Sequence, residues 1–424
     1  MSKLDLSDNQ LRNIRAAAFI DLTGLEEINL DKNFLSAIPS AALRPIRNSL
    51  RDLSLGINHI SEVPVGSLDF PRMSSISLAV NKIRSIDPEA FRGVPALTYL
   101  YLSSNRLPQL PNDMLHYLNQ LKVFSVSGNP IKILNRSSLQ HVPNLVRLEI
   151  SDCQLREIEE GTLQQMKKLQ IVVMNQNKLT RVRRDTFQSL SRLNSLDLKG
   201  NELTLIDHGA FSNLASLRHL DLSSNKLETM PEDAFTNSFL RTSPPQARVL
   251  YLYDNPWICD DSLNWLIDWL LANNDIVIDA PGYAPSSCEL PTELHEVPLR
   301  DSKSNGPLPT YGPGGPKPPE PLRPGGKTKL SGVSLAAVIL GIILGILILT
   351  VLLLLVMRYF ISHQHRKQKE QEEDFRRLGS TVSGYQSGSY HGPESIHTIS
   401  SGQHLTAGRN RGSYFLNRPW YWWF

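Results

Sequence analysis

A possible Ser/His/Asp set occurs in the segment that begins at His219. His219, Asp221 and Ser223 alternate along the chain, and Asp197 lies 24 residues before Asp221. Alternate residues of an extended strand are nearly 7 Å apart, a separation that we expect to exceed direct hydrogen-bond reach. The surface around them is expected to be open to water and to lack oxyanion donors. We therefore predict no catalytic residues and no enzyme activity.

Motifs for cofactors and metals are also absent from the sequence. It contains no glycine-rich phosphate loop, no nucleotide-binding fingerprint and no His/Cys cluster with metal-ligand spacing. A formal net charge of +3 over 424 residues is not concentrated in any block, so nucleic-acid binding is not expected. Three cysteines exclude a disulfide-dense scaffold. We expect no cofactor, no metal and no nucleic-acid partner.

An internal repeat dominates the first 255 residues. The pattern L-x-x-L-x-L-x-x-N-x-L occurs, for example, as LTYLYLSSNRL from Leu97 and LRHLDLSSNKL from Leu217. Successive asparagine positions are 23 to 25 residues apart until the last interval, which is 30. A second apolar register follows ten residues behind the first. The asparagine register consists of Asn9, Asn33, Asn58, Asn81, Asn105, Asn129, Cys153, Asn177, Asn201, Asn225 and Asn255.

These eleven units resemble the leucine-rich-repeat family in its 24-residue extracellular type. The resemblance implies an α/β solenoid, a curved horseshoe with a parallel sheet on its concave face. Each unit would contribute one strand, and stacked units would bury the leucines that no unit can bury alone. The asparagine side chains are expected to bond to the backbone of adjacent turns. Cys153, at an asparagine position, is predicted to be a buried free thiol, with a reactive or intermolecular thiol as the alternative.

A ligand-binding surface is predicted on the concave face. Residues two, four and six before each asparagine point away from the core and are free for recognition. In the central repeats these positions combine aromatic, aliphatic and arginine side chains, as protein-binding hot spots do. We predict a protein ligand there; binding by convex loops or a lateral face, or a dimer contact, are the alternatives. The predicted residues are Tyr99, Tyr101, Val123, Arg147, Ile171 and Val173.

The segment after Asn255 resembles the cysteine-rich C-terminal cap of extracellular repeat proteins. That cap usually begins Asn-Pro-Trp-x-Cys-Asp-Cys and has four cysteines in two bridges. Cys259 and Cys288 match the first and third positions, and Asp261 occupies the second. The resemblance implies a Cys259–Cys288 disulfide, which could contribute roughly 3 kcal/mol. The side chains expected to pack on an amphipathic cap helix are Trp257, Leu263, Trp265, Leu266 and Trp269.

Two further segments leave alternatives open. Residues 236–246 lengthen the last interval and form either a protruding contact loop or a neutral insertion. The chain opens inside a repeat, without a signal sequence or an N-terminal cysteine cap. We expect a truncated or misassigned start; an isoform that is not exported is the alternative.

Past the cap, the composition predicts a membrane anchor. Residues 302–332 are rich in Pro and Gly and should form an extended stalk. Residues 333–357 are uncharged and apolar, long enough for one transmembrane helix. Within that helix Gly341 and Gly345 form a GxxxG motif that could support a homodimer.

Topology follows from flanking features. Basic residues favour a cytoplasmic tail at 358–424, which should be disordered and carries candidate phosphorylation sites at Tyr385, Tyr390 and Tyr414. The cap disulfide and a glycosylation acceptor at Asn135 place the repeats outside the cell. The predicted segments are repeats 1–255, cap 256–301, stalk 302–332, transmembrane helix 333–357 and tail 358–424.

The order of segments resembles that of transmembrane leucine-rich-repeat proteins of cell recognition, such as the insect proteins capricious and tartan. The resemblance implies a single-pass plasma-membrane receptor for adhesion or recognition that binds a protein ligand. The alternative is a signalling subunit that binds a soluble ligand and acts with a co-receptor through the tail tyrosines.

Overall fold

A computed structural model describes residues 2–16, 18–304 and 306–309 of the chain. The predicted transmembrane helix 333–357, the tail 358–424 and most of the stalk 302–332 lie outside these residues, as do Gly341, Gly345, Tyr385, Tyr390 and Tyr414. Among the described residues, no helix is both long enough and apolar enough to cross a membrane.

One parallel sheet of twelve strands runs through the repeats, with one strand from each turn and a last strand from the cap. Each strand pairs with its sequence neighbour within this sheet, and the pairing carries no register shift. The sheet is therefore a stack of about eleven similar turns, as the repeat predicts. Its strands are Lys3–Asp5, Glu27–Asn29, Asp52–Ser54, Ser75–Ser77, Tyr99–Tyr101, Val123–Ser125, Arg147–Glu149, Ile171–Val173, Ser195–Asp197, His219–Asp221, Arg248–Tyr251 and Ile276–Val277.

The return segments on the opposite side are short and varied. Four two-stranded parallel pairs lie there: Glu62–Val63 with Ser85–Ile86, Ile133–Leu134 with Glu157–Ile158, Arg181–Val182 with Leu205–Ile206, and Trp257–Ile258 with Cys288–Leu290. Four-residue α-helices occur at Ser40–Leu43, Arg136–Leu139 and Arg184–Phe187, and a longer one in the cap at Asn264–Ala272. The 3-10 helices are Arg44–Ile46, Asp261–Leu263, Thr292–Leu294 and Leu299–Asp301.

The core lies between the sheet and the return segments. Strand positions alternate: in the main sheet the central residue of each three-residue strand after the first, such as Leu100, is buried, and its neighbours are more exposed except at Ser125 and Asp221. The second apolar register fills the space behind the strands. Its rings stack where it holds phenylalanine, with centroids 6.4 Å apart for Phe187 and Phe211 and 6.1 Å apart for Phe211 and Phe235. The register is buried from Phe19 to Phe235, so both apolar registers form the core.

Asparagine side chains join successive turns. At Asn105, Nδ2 donates to the carbonyls of Leu78 and Leu102, each at 2.9 Å, and Oδ1 accepts from the backbone N–H of Ile83 at 3.0 Å. Leu78 and Ile83 belong to the preceding turn. A buried amide thus bonds to backbone groups of two turns at once, and it is the acceptor for the Ile83 N–H.

The residue before each asparagine position is left-handed in all eleven turns, with φ between 52° and 71°. That conformation turns the chain at the carboxyl end of each strand and aims the following side chain into the core. It is cheap for glycine and expensive for β-branched residues. The eleven residues are Asp8, Lys32, Ile57, Val80, Ser104, Gly128, Asp152, Gln176, Gly200, Ser224 and Asp254.

The cap closes the stack through a disulfide and buried aromatic rings. Cys259 and Cys288 are bonded, with their Cα atoms 5.7 Å apart. Trp257 is fully buried, and its Nε1 donates to the carbonyl of Leu252 at 2.9 Å. The prediction that all five cap residues pack on one helix is wrong for two of them, because Trp257 lies on a strand and Leu263 in the 3-10 helix before the α-helix. Trp265, Leu266 and Trp269 do lie on the α-helix Asn264–Ala272.

The long insertion before the last repeat strand contributes to this closure. Phe239 is buried and its ring packs edge-on to Trp269, with centroids 6.2 Å apart. Arg248, also buried, donates to the Phe239 carbonyl at 2.6 Å and forms an ion pair with Asp275. Hydrogen bonds from Arg248 hold the pKa of Asp275 below its ordinary value. The segment 236–246 therefore has a packing role, while Leu240 within it is exposed.

Candidate recognition surface on the parallel sheet

The six predicted ligand-binding residues lie on the solvent-facing side of the main sheet, here called the open face. Strand pairing aligns Tyr99 with Val123, Val123 with Arg147, and Arg147 with Ile171, so four of the six form one row across adjacent strands. Tyr101 and Val173 lie in the next row, separated by Ser125 and Glu149. The side chain of Tyr99 is 40% exposed, whereas the other five are half-buried. We call these six residues the central patch.

The arginine of the central patch is not an isolated cation. Its Nε donates to Glu149 Oε1 at 2.5 Å, and Glu149 Oε2 accepts from Ser125 Oγ at 2.7 Å. Ser125 Oγ in turn lies 2.6 Å from Ser103 Oγ. Arg147 is thereby tied to a chain of polar side chains that the sequence pattern did not predict. The signal was present, since Glu149 is two residues from Arg147 on the same strand face.

The predicted separation of the Ser/His/Asp side chains beyond hydrogen-bond reach is wrong for one pair, Asp221 and Ser223. Ser223 Oγ donates to Asp221 Oδ1 at 2.6 Å, because the strand ends at Asp221 and the chain then leaves the extended conformation. His219 Nδ1 instead lies 3.1 Å from Ser195 Oγ on the neighbouring strand. The three alternating side chains therefore do not form a nucleophile–base pair, since the serine bonds to a carboxylate rather than to the imidazole.

Burial shifts the ionisation of this part of the open face. It lowers the pKa of His219, although the carboxylates of Asp221 and Asp197 oppose the shift. Burial also raises the pKa of Asp197, against hydrogen bonds from the Lys199 backbone N–H and from Asn175. The carboxyl groups of the half-buried Asp197 and the buried Asp221 lie beside this imidazole, which gives the region a different composition from the central patch.

A cluster of tyrosines beside the cap was missed by the sequence reasoning. Lys199 Nζ donates to Tyr253 Oη at 2.9 Å and lies 4.6 Å from the ring centroid of Tyr283. The rings of Tyr253 and Tyr283 are themselves 4.6 Å apart, and Tyr283 is 55% exposed. These hydroxyls raise the pKa of Lys199 even though burial opposes its charge. Lys199 and Tyr253 occupy predicted open-face positions, but Tyr283 comes from the cap, which the repeat pattern does not place.

The remaining predicted sites lie elsewhere. Asn135 is half-buried at the start of the helix Arg136–Leu139, where its side chain makes no capping hydrogen bond. Cys153 is buried and unbonded to another cysteine, and burial raises its pKa to about 11. Within the described ranges, no group of three or more His, Cys, Asp and Glu side chains could hold a metal ion.

Comparisons with known proteins agree with the repeat. The family described as "Leucine rich repeat" matches residues 1–60, 48–107, 143–203 and 191–238. Opticin of Bos taurus is 36% identical over 105 residues, which is 24% of this chain and 32% of opticin. Tsukushi of Xenopus tropicalis is 35% identical over 112 residues, or 26% of this chain and 31% of Tsukushi. The human leucine-rich repeats and immunoglobulin-like domains protein 3 is 36% identical over 108 residues, or 25% and 9%. The chain thus spans a third or less of the length of these relatives.

Solved structures share the architecture. A chain of the octameric complex of Latrophilin 3, Unc5D and FLRT2 (LRR) has a TM-score of 0.59 at 23% identity and covers 70% of this chain and 88% of its own length. A chain of the Drosophila Toll–Spatzle complex has a TM-score of 0.54 at 20% identity, covering 70% of this chain and 47% of its own length. At these identities the likeness concerns the fold alone. The chain therefore carries leucine-rich repeats, and its described part is a parallel-sheet solenoid of about eleven turns.

Proposed function

We propose that the chain is a cell-surface recognition or adhesion receptor that binds a protein ligand through the open face of its solenoid. The observation that carries the proposal is the central patch, in which Tyr99, Val123, Arg147 and Ile171 align in register across four strands. Their side chains face solvent and are not needed for the core. Aromatic, aliphatic and arginine groups in one patch are the usual composition of binding hot spots.

The comparisons support protein recognition as the general role. The Latrophilin 3, Unc5D and FLRT2 complex and the Toll–Spatzle complex are both assemblies between proteins. We infer the same type of activity here, at the plasma membrane, with the repeats outside and a single membrane span at 333–357. The neighbouring Arg147–Glu149 pair favours a ligand that contributes its own hydrogen-bonding groups, since both charges already have a partner.

The first experiment tests location. The full chain is expressed in cultured cells behind a supplied signal peptide, and intact cells are stained with antibody to the repeats. We expect staining without permeabilisation and a mobility shift after removal of N-glycans, lost in Asn135→Gln. Staining only in permeabilised cells, with no glycan shift, would contradict a cell-surface role.

The second experiment tests the central patch by aggregation of displaying cells with each other and with cells of other types. We expect saturable clustering that the pair Tyr99→Ala and Tyr101→Ala reduces by about tenfold or more, because hot-spot aromatics each contribute about 2 kcal/mol. The control is the pair Ser75→Ala and Ser77→Ala. These serines lie on the same face of the adjacent strand, in register with Tyr99 and Tyr101. Equal clustering by both pairs would reject the central patch as the binding site.

A further inference from the structure

Exposed apolar side chains gather at the carboxyl edge of the main sheet, where three consecutive turns end. Phe34, Ile57 and Val80 are 41%, 46% and 48% exposed. Ile57 and Val80 directly precede the buried Asn58 and Asn81, and Phe34 directly follows Asn33. All three line one open depression of about 710 Å³. They add nothing to the core, because the leucines and asparagines beside them fill it.

The backbone makes two of these residues expensive. Ile57 has φ 52° and Val80 has φ 56°, a left-handed conformation that β-branched residues rarely adopt. At the same place in later turns the chain uses Gly128, Gly200 and Ser224. Glycine would relieve the strain without removing a side chain from the core. Strained residues outside the core are found mainly at functional sites, so the pair is better explained by contact with another molecule than by folding.

The charges around the apolar side chains indicate what that molecule carries. Lys32, Lys82 and Arg106 line the same depression, against a single carboxylate, Asp8. The guanidinium of Arg12 lies 5.6 Å from the ring centroid of Phe34, which adds a further cation at the rim. A partner with carboxylates and apolar side chains would complement both features.

We propose that this surface docks an acidic segment of a partner protein that also carries apolar side chains. The surface, here the basic edge, comprises Lys32, Phe34, Ile57, Val80, Lys82 and Arg106. None of its residues belongs to the central patch, so it is a second binding surface. Apolar side chains of the segment contact Phe34, Ile57 and Val80, and its carboxylates pair with the flanking cations.

The test pans a random peptide display library against the purified full chain and measures the affinity of enriched peptides. We expect peptides rich in Asp or Glu together with Leu, Ile or Phe. Their affinity should fall about tenfold or more in the double variant Ile57→Gly/Val80→Gly, and should weaken as salt is raised. This variant should still fold, because glycine favours the local backbone.

The control is Ser104→Gly/Ser224→Gly, which makes the same change at the same backbone position without removing an apolar group; peptide affinity should not change. Tyr99→Ala/Tyr101→Ala should also leave it unchanged, so failure of the central patch and of the basic edge can be told apart. Enrichment of basic peptides, or affinity unaffected by Ile57→Gly/Val80→Gly, would overturn the proposal. Two other results would also overturn it. Ile57→Gly/Val80→Gly would lose self-association, or it would lose binding to phosphatidylserine vesicles, while its peptide affinity stayed the same.

Discussion

Ten inner turns of the solenoid are organised by asparagine and one by Cys153, and the two kinds of turn satisfy the backbone differently. Asn105 offers both donors and an acceptor, so it bonds carbonyls in its own and the preceding turn and receives the Ile83 N–H. The Cys153 thiol lies 3.4 Å from the Val126 carbonyl and 3.2 Å from that of Ser151, with only one proton to donate.

The backbone N–H groups around Cys153 find acceptors in neighbouring residues. An asparagine at 153 would accept a hydrogen bond from the Ile131 N–H. Here that N–H donates instead to the carbonyl of Asn129 at 2.8 Å. On the other side, Asn177 Oδ1 accepts from Cys153 N–H at 3.0 Å as well as from Leu155 N–H at 2.9 Å. One position can therefore depart from the asparagine pattern because adjacent turns provide spare hydrogen-bonding capacity. Two consecutive departures would leave buried groups unpaired.

The largest effect should follow removal of an asparagine. Asn105→Ala leaves the buried Ile83 N–H without an acceptor and removes one hydrogen bond from each of the Leu78 and Leu102 carbonyls, which still accept from Asn81 and Asn129. We expect a loss of about 2–5 kcal/mol in the free energy of unfolding, because the unpaired N–H costs about 1–3 kcal/mol and each of the two lost hydrogen bonds about 0.5–1.5 kcal/mol. Urea unfolding followed by circular dichroism measures it. Asn9→Ala, at an exposed turn, is the control and should change stability by less than about 1 kcal/mol; equal losses would refute the role of burial.

Alkaline pH should distinguish the cysteine turn from the others. Burial raises the Cys153 pKa from 9.0 to about 11, so the folded state holds its proton more tightly than the unfolded chain. The stability that the buried, protonated thiol contributes is fully present below about pH 9 and is lost as pH rises through about 11. The corresponding loss is on the order of 2–3 kcal/mol. The difference between the wild type and Cys153→Ser, measured across that window, isolates it from other titrating groups. A constant difference would show that the thiol is accessible to water.

Transplanting cysteine to a second turn should be costly where the neighbours are not adapted. Asn105→Cys removes the acceptor for the Ile83 N–H. We expect it to reduce the unfolding free energy by about 1–3 kcal/mol, less than Asn105→Ala, because the thiol still donates to one carbonyl. Thermal unfolding of the three proteins in parallel gives the order. Wild-type stability in Asn105→Cys would mean that the turns tolerate cysteine generally.

Restoring asparagine at the cysteine turn should have the smallest effect. Cys153→Asn supplies an acceptor to Ile131 N–H, but that group already bonds to the Asn129 carbonyl. A gain of about 0.5–1 kcal/mol is expected, measured as a shift in the urea midpoint. A loss of stability would indicate that the turn around Cys153 has repacked to fit sulfur.

The periodic features of the fold were predictable from the sequence because they repeat. Two registers of apolar residues and one of asparagine define the turn, the buried face and the strand, and the structure has all of them. The return segments were not predictable in detail, since Glu62–Val63 pairs with Ser85–Ile86 while other turns hold short helices. In those segments local propensity is weak and the stack tolerates any compact path.

The position of the open face was predictable, but the side-chain contacts on it were not. Alternation along the strands places Tyr99 and Arg147 on the surface, yet the link from Arg147 to Glu149 and Ser125 depends on side-chain rotamers. The approach of Tyr283 to Tyr253 depends on how the cap folds back. The left-handed residue before each asparagine position is visible in hindsight at Gly128 and Gly200, but not at Ile57 and Val80, whose side chains oppose it.

In-register pairing through the main sheet has a consequence for the spacing of its surfaces. Each turn advances the stack by one strand separation, about 4.8 Å. Because every turn presents the same hydrogen-bonding faces to its neighbours, one repeat could be gained or lost while the contacts on either side re-form. The distance between the basic edge and the tyrosines beside the cap would then change in equal steps. The number of repeats therefore sets the span between the two surfaces, and a ligand that contacts both would fit only one number of turns.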